Sequence, residues 1–341
     1  MSQPLTLANV AETTGPVYWI DHFVLNSADV GRWAEFSTKL LGAYVKPSVR
    51  GVFQMVGPAL IGAFEPSKPL PPAGPIGRGL PRYGYYINRA DIRAHLTRLD
   101  ALGVVHSGPV YTAAEGEAGT AIYWQDPDGN NFEFWAPDAP PPGAMAAASS
   151  EGVGRISHAV FEAREFDRVA DFFTRYCEAE RLRDPSVADD TLVLRLASGS
   201  RIVYKNVDEL GARTIAKSSA DGVHTALTVH HASFFPNYRR LWATLPEWGE
   251  DAMACKPDEV RDALPARSNR HASPEGRQFY ALVGRGDGFY DWDCNQFHFI
   301  SGVPENGSMT DYEANTIGAV MAAWKREHAT LDGFRSMVLG E

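Results

Sequence analysis

His22 and His158 stand at the same place in two stretches that repeat each other. Asp21-His22-Phe23-Val24-Leu25 runs into a helix-like stretch ending at Leu41, and Ser157-His158-Ala159-Val160-Phe161 runs into one ending at Cys177. The ends of the two halves also match. Asp126-Pro127-Asp128-Gly129-Asn130-Asn131-Phe132-Glu133-Phe134 aligns with Asp291-Trp292-Asp293-Cys294-Asn295-Gln296-Phe297-His298-Phe299, which sets Glu133 opposite His298. Imidazoles and carboxylates are the side chains that bind first-row metal ions. A lone His on an apolar strand is more often a hydrogen-bonded core residue. Metal-ligand types repeated at matched strands of a duplication argue for more than that.

The elements that must position these residues read as an α+β protein of four βαβββ units, two per domain. Each unit opens with an apolar strand and continues into an amphipathic helix. Val30, Trp33, Ala34, Ser37, Leu40 and Leu41 lie at helical spacing in the first, and Ile92, Leu96 and Leu99 in the second. Phe166, Val169, Ala170, Phe173, Tyr176 and Cys177 repeat the pattern in the third, and Tyr238, Leu241, Trp242 and Leu245 in the fourth. Short β-rich runs such as 191–196 and 201–204 follow, bounded by Gly. The expected organisation is an arm over 1–16, a first domain over 17–137, a Pro/Ala/Ser-rich linker over 138–152, a second domain over 153–305 and a helical tail over 306–341.

A chain of 341 residues has a prior of about two domains. With 44% hydrophobic and 22% charged residues it can build a true core. The net charge of −10 and the dispersed Lys and Arg give no nucleic-acid footprint. No apolar run approaches the ~18 residues of a membrane span. The N-terminus lacks the basic-then-apolar order of a signal peptide. Cys177, Cys255 and Cys294 are odd in number and far apart, which argues against a disulfide framework and for a reducing cytoplasm. Gly284-Arg285-Gly286-Asp287-Gly288 lacks the Lys-Ser/Thr of a phosphate-binding loop and reads as a hairpin turn.

From roughly 18 to 136 and 153 to 300 the chain resembles the vicinal oxygen chelate (glyoxalase/bleomycin resistance/dioxygenase) superfamily. The Asp-Pro-Asp-Gly-Asn turn at 126–130, followed by Phe132-Glu133, is similar to its last-strand signature. Four units in one chain look most like the two-domain type I extradiol dioxygenases, in which the second domain binds Fe(II). That resemblance implies that the units form two cupped half-barrel domains and that His158 and His224 bind the metal. Where the family has a Glu on the final strand, the internal repeat puts His298 as the third ligand, and a tighter alignment with Gly286-Asp287-Gly288 as the turn puts Asp291 there instead. Asn269-Arg270-His271 and Phe279-Tyr280 match a further family element, whose His and Tyr line the substrate pocket and assist proton transfer. Tyr290 joins them if Asp291 is not the ligand.

The implied activity is ring cleavage of a catechol- or hydroquinone-like aromatic by O2. Iron must then be held on one face and left open on the other. His in place of a carboxylate leaves the centre one charge more positive, which favours an anionic substrate. Such sites also accept Mn, Zn or Ni. The alternatives are a non-redox metal-dependent isomerase, lyase or hydrolase of the same superfamily, or a metal-free aromatic-binding protein. The expected partners are a small aromatic substrate and O2, without nucleic acid or membrane, and related folds often form homo-oligomers. In the first half His22 and Glu133 occupy matched ligand positions, but Arg82 stands where a third ligand would be. Arg cannot bind a metal and would pair with Glu133, so that half reads as a structural relic.

Overall fold

The computed structural model describes residues 15–48, 51–57, 59–66, 69–183, 186–208, 224–230, 237, 289–290 and 296–302. Unit one consists of β1 (Val17–Asn26), α1 (Val30–Leu41), β2 (Tyr44–Ser48), β3 (Gly51–Val56) and β4 (Ala59–Phe64). Unit two has β5 (Arg82–Ile87), α2 (Ile92–Ala101), β6 (Val110–Thr112), β7 (Gly119–Gln125) and β8 (Asn131–Pro137). Unit three has β9 (Val153–Ala163), α3 (Phe166–Cys177), β10 (Glu180–Arg181), β11 (Thr191–Arg195) and β12 (Arg201–Asn206). Unit four is represented by β13 (His224–His230), β14 (Phe289–Tyr290) and β15 (Gln296–Gly302).

Local chemistry explains the helices. Asp29 caps α1 by accepting from the Arg32 N–H at 2.9 Å. Gly42 ends it at φ 63°, where its N–H bonds the Thr38 carbonyl. Trp33, Ala34, Ser37, Leu40 and Leu41 form its buried face, as their spacing predicts. In α3 the buried face is Val169, Ala170, Phe172, Phe173, Tyr176 and Cys177.

The units obey one rule: the last strand lies parallel beside the first, and the remainder follow antiparallel. It holds for β1-β4-β3-β2, β5-β8-β7-β6, β9-β12-β11-β10 and β13-β15-β14. The curled sheets, however, join units that are not neighbours in the order expected. Antiparallel pairing of β1 with β13 makes a seven-stranded sheet from units one and four. Antiparallel pairing of β5 with β9 makes an eight-stranded sheet from units two and three.

One hydrophobic core serves both sheets. Phe23 of β1 stacks on Tyr83 of β5 with ring centroids 3.8 Å apart, and Phe161 of β9 meets Phe297 of β15 edge-on at 5.4 Å. Because strand side chains alternate, residues one step away face the other side of each sheet. On β1 and β13 these are His22, Val24, His224 and Ala226; on β5, β8, β9 and β12 they are Arg82, Glu133, His158 and Arg201. Each sheet thus has an apolar face toward the common core and a second face carrying buried polar and ionisable residues. No helix among the described residues is long and apolar enough to cross a membrane.

Candidate metal centre

On the seven-stranded sheet the register sets His22 of β1 opposite Ala226 of β13, and Ala226 opposite His298 of β15. His22 and His224, which stands two residues before Ala226, share one face of the sheet. The His22 and His224 rings lie with centroids 5.8 Å apart at 75°. Two imidazoles that share an ion at bond angles of about 90–110° have centroids about 4.6–5.3 Å apart, so the two rings stand slightly wider than that. Both residues are buried. Val24 and Phe64 make a small apolar cluster, separate from the main core, next to His22.

His22 owes its setting to a local irregularity. Between Ile20 and His22 the ladder advances two residues on β1 but one on β13, from Leu227 to Ala226. Asp21 is the extra residue of this bulge, and a bulge turns consecutive side chains toward the same side. The Asp21 carboxylate Oδ2 sits 2.7 Å from His22 Nδ1, and both residues are almost fully buried.

The eight-stranded sheet holds a different constellation. His158 Nε2 lies 3.2 Å from Glu133 Oε2 and 3.5 Å from Glu115 Oε2. The ligand atoms of Glu115, Glu133 and His158 all lie within 4.8 Å of one another, a spacing that can hold a cation. Arg82 already sits there. Its Nε donates to Glu133 at 3.0 Å and its Nη2 pairs with Glu115. Arg201 pairs with Glu117 at 3.0 Å, and Lys205 approaches Glu115 at 3.7 Å. Three cations therefore balance three carboxylates. Burial alone would drive the Glu115 carboxyl up, but Arg82, His158 and Lys205 outweigh it and pull it down to about 2. Burial also opposes charge on Arg82, and the carboxylates of Glu115 and Glu133 more than offset it. A divalent ion placed about 4 Å from that guanidinium would meet several kcal/mol of repulsion. The Arg82–Glu133 pair expected from the sequence is present; Glu115 and Glu117, which complete it, come from the 113–118 turn and were not singled out there.

Of the residues expected to bind metal, His158 and His224 stand in different sheets. The reason is the unit pairing: the first strand of unit four lies beside the first strand of unit one, so the described histidine next to His224 is His22. His298 keeps its register position beside β13. Tyr290 lies on β14, paired with Gln296 of β15. His271, Tyr280 and Asp291 lie outside the described residues. Asp21 was passed over in the sequence; the available signal was a carboxylate directly before His22 in an otherwise apolar strand.

The model of the Glyoxalase/Bleomycin resistance protein/Dioxygenase superfamily matches residues 19–134. No curated protein matches the chain. Among solved structures, a candidate dioxygenase from Bacillus subtilis subsp. subtilis strain 168 is similar with a TM-score of 0.51 at 13% identity, over 68% of this chain and 76% of that one. The fosfomycin resistance protein FosX from Mesorhizobium loti is similar over 34% of this chain and 88% of its own, at 18% identity and a TM-score of 0.28. FosX from Listeria monocytogenes, in complex with Mn(II) and sulfate, is similar over 34% and 86%, at 21% identity and a TM-score of 0.29. The matched segment and the βαβββ architecture together support the Glyoxalase/Bleomycin resistance protein/Dioxygenase superfamily as the one whose module residues 19–134 carry.

Proposed function

We propose that the chain is a mononuclear, Fe(II)-dependent dioxygenase of the extradiol type. Its metal ligands are His22, His224 and His298, and its substrate is a catechol- or hydroquinone-like aromatic. The observation that carries the reading is the register His22–Ala226–His298, with His224 on the same face. The donor set fits the group, since neutral imidazoles suit iron and the two described rings are neighbours on one buried face. Bound Fe(II) supplies the coordination positions at which an aromatic diol and O2 can meet.

The chain's own residues do the rest. His22 and His224 would hold the ion from neighbouring strands of one sheet. Val24 and Phe64 offer an apolar wall for the ring and keep water from it. Proton transfer at the ring is assigned to His271, Tyr280 and Tyr290, of which Tyr290 belongs to the strand next to that of His298. The Glu115–Glu133–His158 cluster is assigned to structure, because Arg82 neutralises it.

The test is anaerobic reconstitution with Fe(II), followed by O2 uptake on a panel of catechols and hydroquinones. His22→Ala, His224→Ala and His298→Ala are each expected to lose stoichiometric iron and O2 uptake, while His158→Ala keeps its iron. Iron retained in His22→Ala and lost in His158→Ala would move the centre to the eight-stranded sheet. Three imidazoles without a carboxylate also suit Zn(II), which favours a non-redox reaction as the second reading. Turnover by the Zn(II)-loaded protein without O2 would select it.

A further inference from the structure

We infer that Asp21 is a positioning residue for the metal centre: its carboxylate fixes the orientation and tautomer of the His22 ring by holding the proton on Nδ1, so that Nε2 is the nitrogen that would ligate the cation. The inference rests on the reading of His22 as a ligand. Asp21 Oδ2 lies 2.7 Å from His22 Nδ1, at the distance of a charge-assisted hydrogen bond. Asp21 is itself held: Thr228 of β13 approaches its other oxygen at 3.5 Å. The Arg155 guanidinium, seated 3.9 Å over the Trp19 ring, adds an attractive charge on the same side. The bulge that places Asp21 beside His22 recurs in β9, where Ser157 is the extra residue before His158, so the two histidines differ in the neighbour rather than in the backbone.

The duplication supplies an internal comparison. At the matched position of β9, Ser157 Oγ lies 2.9 Å from His158 Nδ1, and Glu133 and Glu115 approach His158 Nε2. Both nitrogens of His158 are thus engaged by protein groups. In β1 the neutral hydroxyl is replaced by a carboxylate, which makes the ring a stronger donor at its far nitrogen. Partners of this kind are typically worth about 10- to 100-fold in metal affinity.

The experiment uses the full chain and Mn(II) as the probe, with the free-ion EPR signal reading the unbound fraction. Asp21→Ala is expected to weaken Mn(II) binding about 10- to 100-fold, and Asp21→Asn, which keeps the volume and an acceptor, less. Ser157→Ala is expected to leave it unchanged. A structural role for Asp21 would not move the second readout: ¹⁵N-imidazole NMR of the metal-free protein. Wild type is expected to show His22 with its proton on Nδ1, and Asp21→Ala is expected to shift the proton toward Nε2. Binding within twofold of wild type together with an unchanged tautomer in Asp21→Ala overturns the inference. His22→Ala is measured alongside. If it binds Mn(II) as well as wild type, the centre itself is misassigned; if it loses the ion while Asp21→Ala does not, only the positioning role fails.

Discussion

At the scale of single residues, the two sheet faces show how one strand position can be turned to opposite ends. Arg82 occupies the place of a metal ligand and converts a cation site into a closed ion-pair network. Removing one member of a buried network leaves charges unpaired, which costs about 3–5 kcal/mol. Arg82→Met is therefore expected to lower the unfolding midpoint in urea by that order while leaving bound iron stoichiometric. A second prediction concerns His95 on α2, buried against Phe134 with ring centroids 4.7 Å apart. Burial, helped by nearby Arg98, pushes its pKa down from 6.5 to about 4. The unfolded chain takes up this proton first, so the stabilisation is complete above about pH 6.5 and is lost as pH falls toward 4, by about 3 kcal/mol at most. Urea unfolding at pH 7.5 and 4.5 should show a larger acid loss in wild type than in His95→Leu. The Arg82–Glu133 pair was legible in the sequence, because both residues sit in regular strands whose alignment carries them. Glu115, Glu117 and Asp21 were not, because they sit in a turn and a bulge, where no periodicity points inward.

At the scale of elements, the 126–130 turn works as a clasp rather than as part of a site. Asp126 accepts from the backbone N–H groups of Asp128 and Asn130 and from the Trp33 indole at 2.9 Å. Asp128 accepts from Ser27 at 2.6 Å and from Arg32 at 2.8 Å. Asn130 donates to the Asn26 carbonyl. A turn of unit two thereby grips the β1–α1 corner of unit one, which shares no sheet with it. Gly84 is a second element-level device. It lies opposite His158 in the β5–β9 ladder, and a Cβ there would fall 2.6 Å from His158 Nδ1 and from Ser157 Oγ. Gly84→Ala is expected to push the ring aside and cost about 1–3 kcal/mol of stability. Metal content should not change, because the change is confined to the eight-stranded sheet; a thermal melt with parallel elemental analysis checks both. The helices and most strands were readable because each announces itself within a dozen residues through spacing, caps and glycines.

At the scale of the whole molecule, the partner of each unit was not readable. β1, β5, β9 and β13 are alike, apolar and each able to pair antiparallel with another, so local pattern does not choose among them. The choice lies in long-range packing such as Phe23 on Tyr83 and Phe161 on Phe297. The nested arrangement predicts that a fragment of residues 17–137 will not fold alone, since β1 and β5 each lose an antiparallel neighbour to the other half. Co-expressed with residues 138–341 it is expected to reassemble. Circular dichroism of the separate piece, and co-purification of the pair, measure this.

The same nesting sets a timetable for synthesis. As the polypeptide leaves the ribosome, β5 finds β9 within reach, whereas β1 must wait for a strand some 200 positions behind it, Val24 meeting His224. The inner pair can close early, and the outer pair closes only near the end of translation. His22 is thus made early and gains its neighbour His224 late, so that a nascent chain halted short of His224 would lack half of the imidazole pair on which the proposed centre rests.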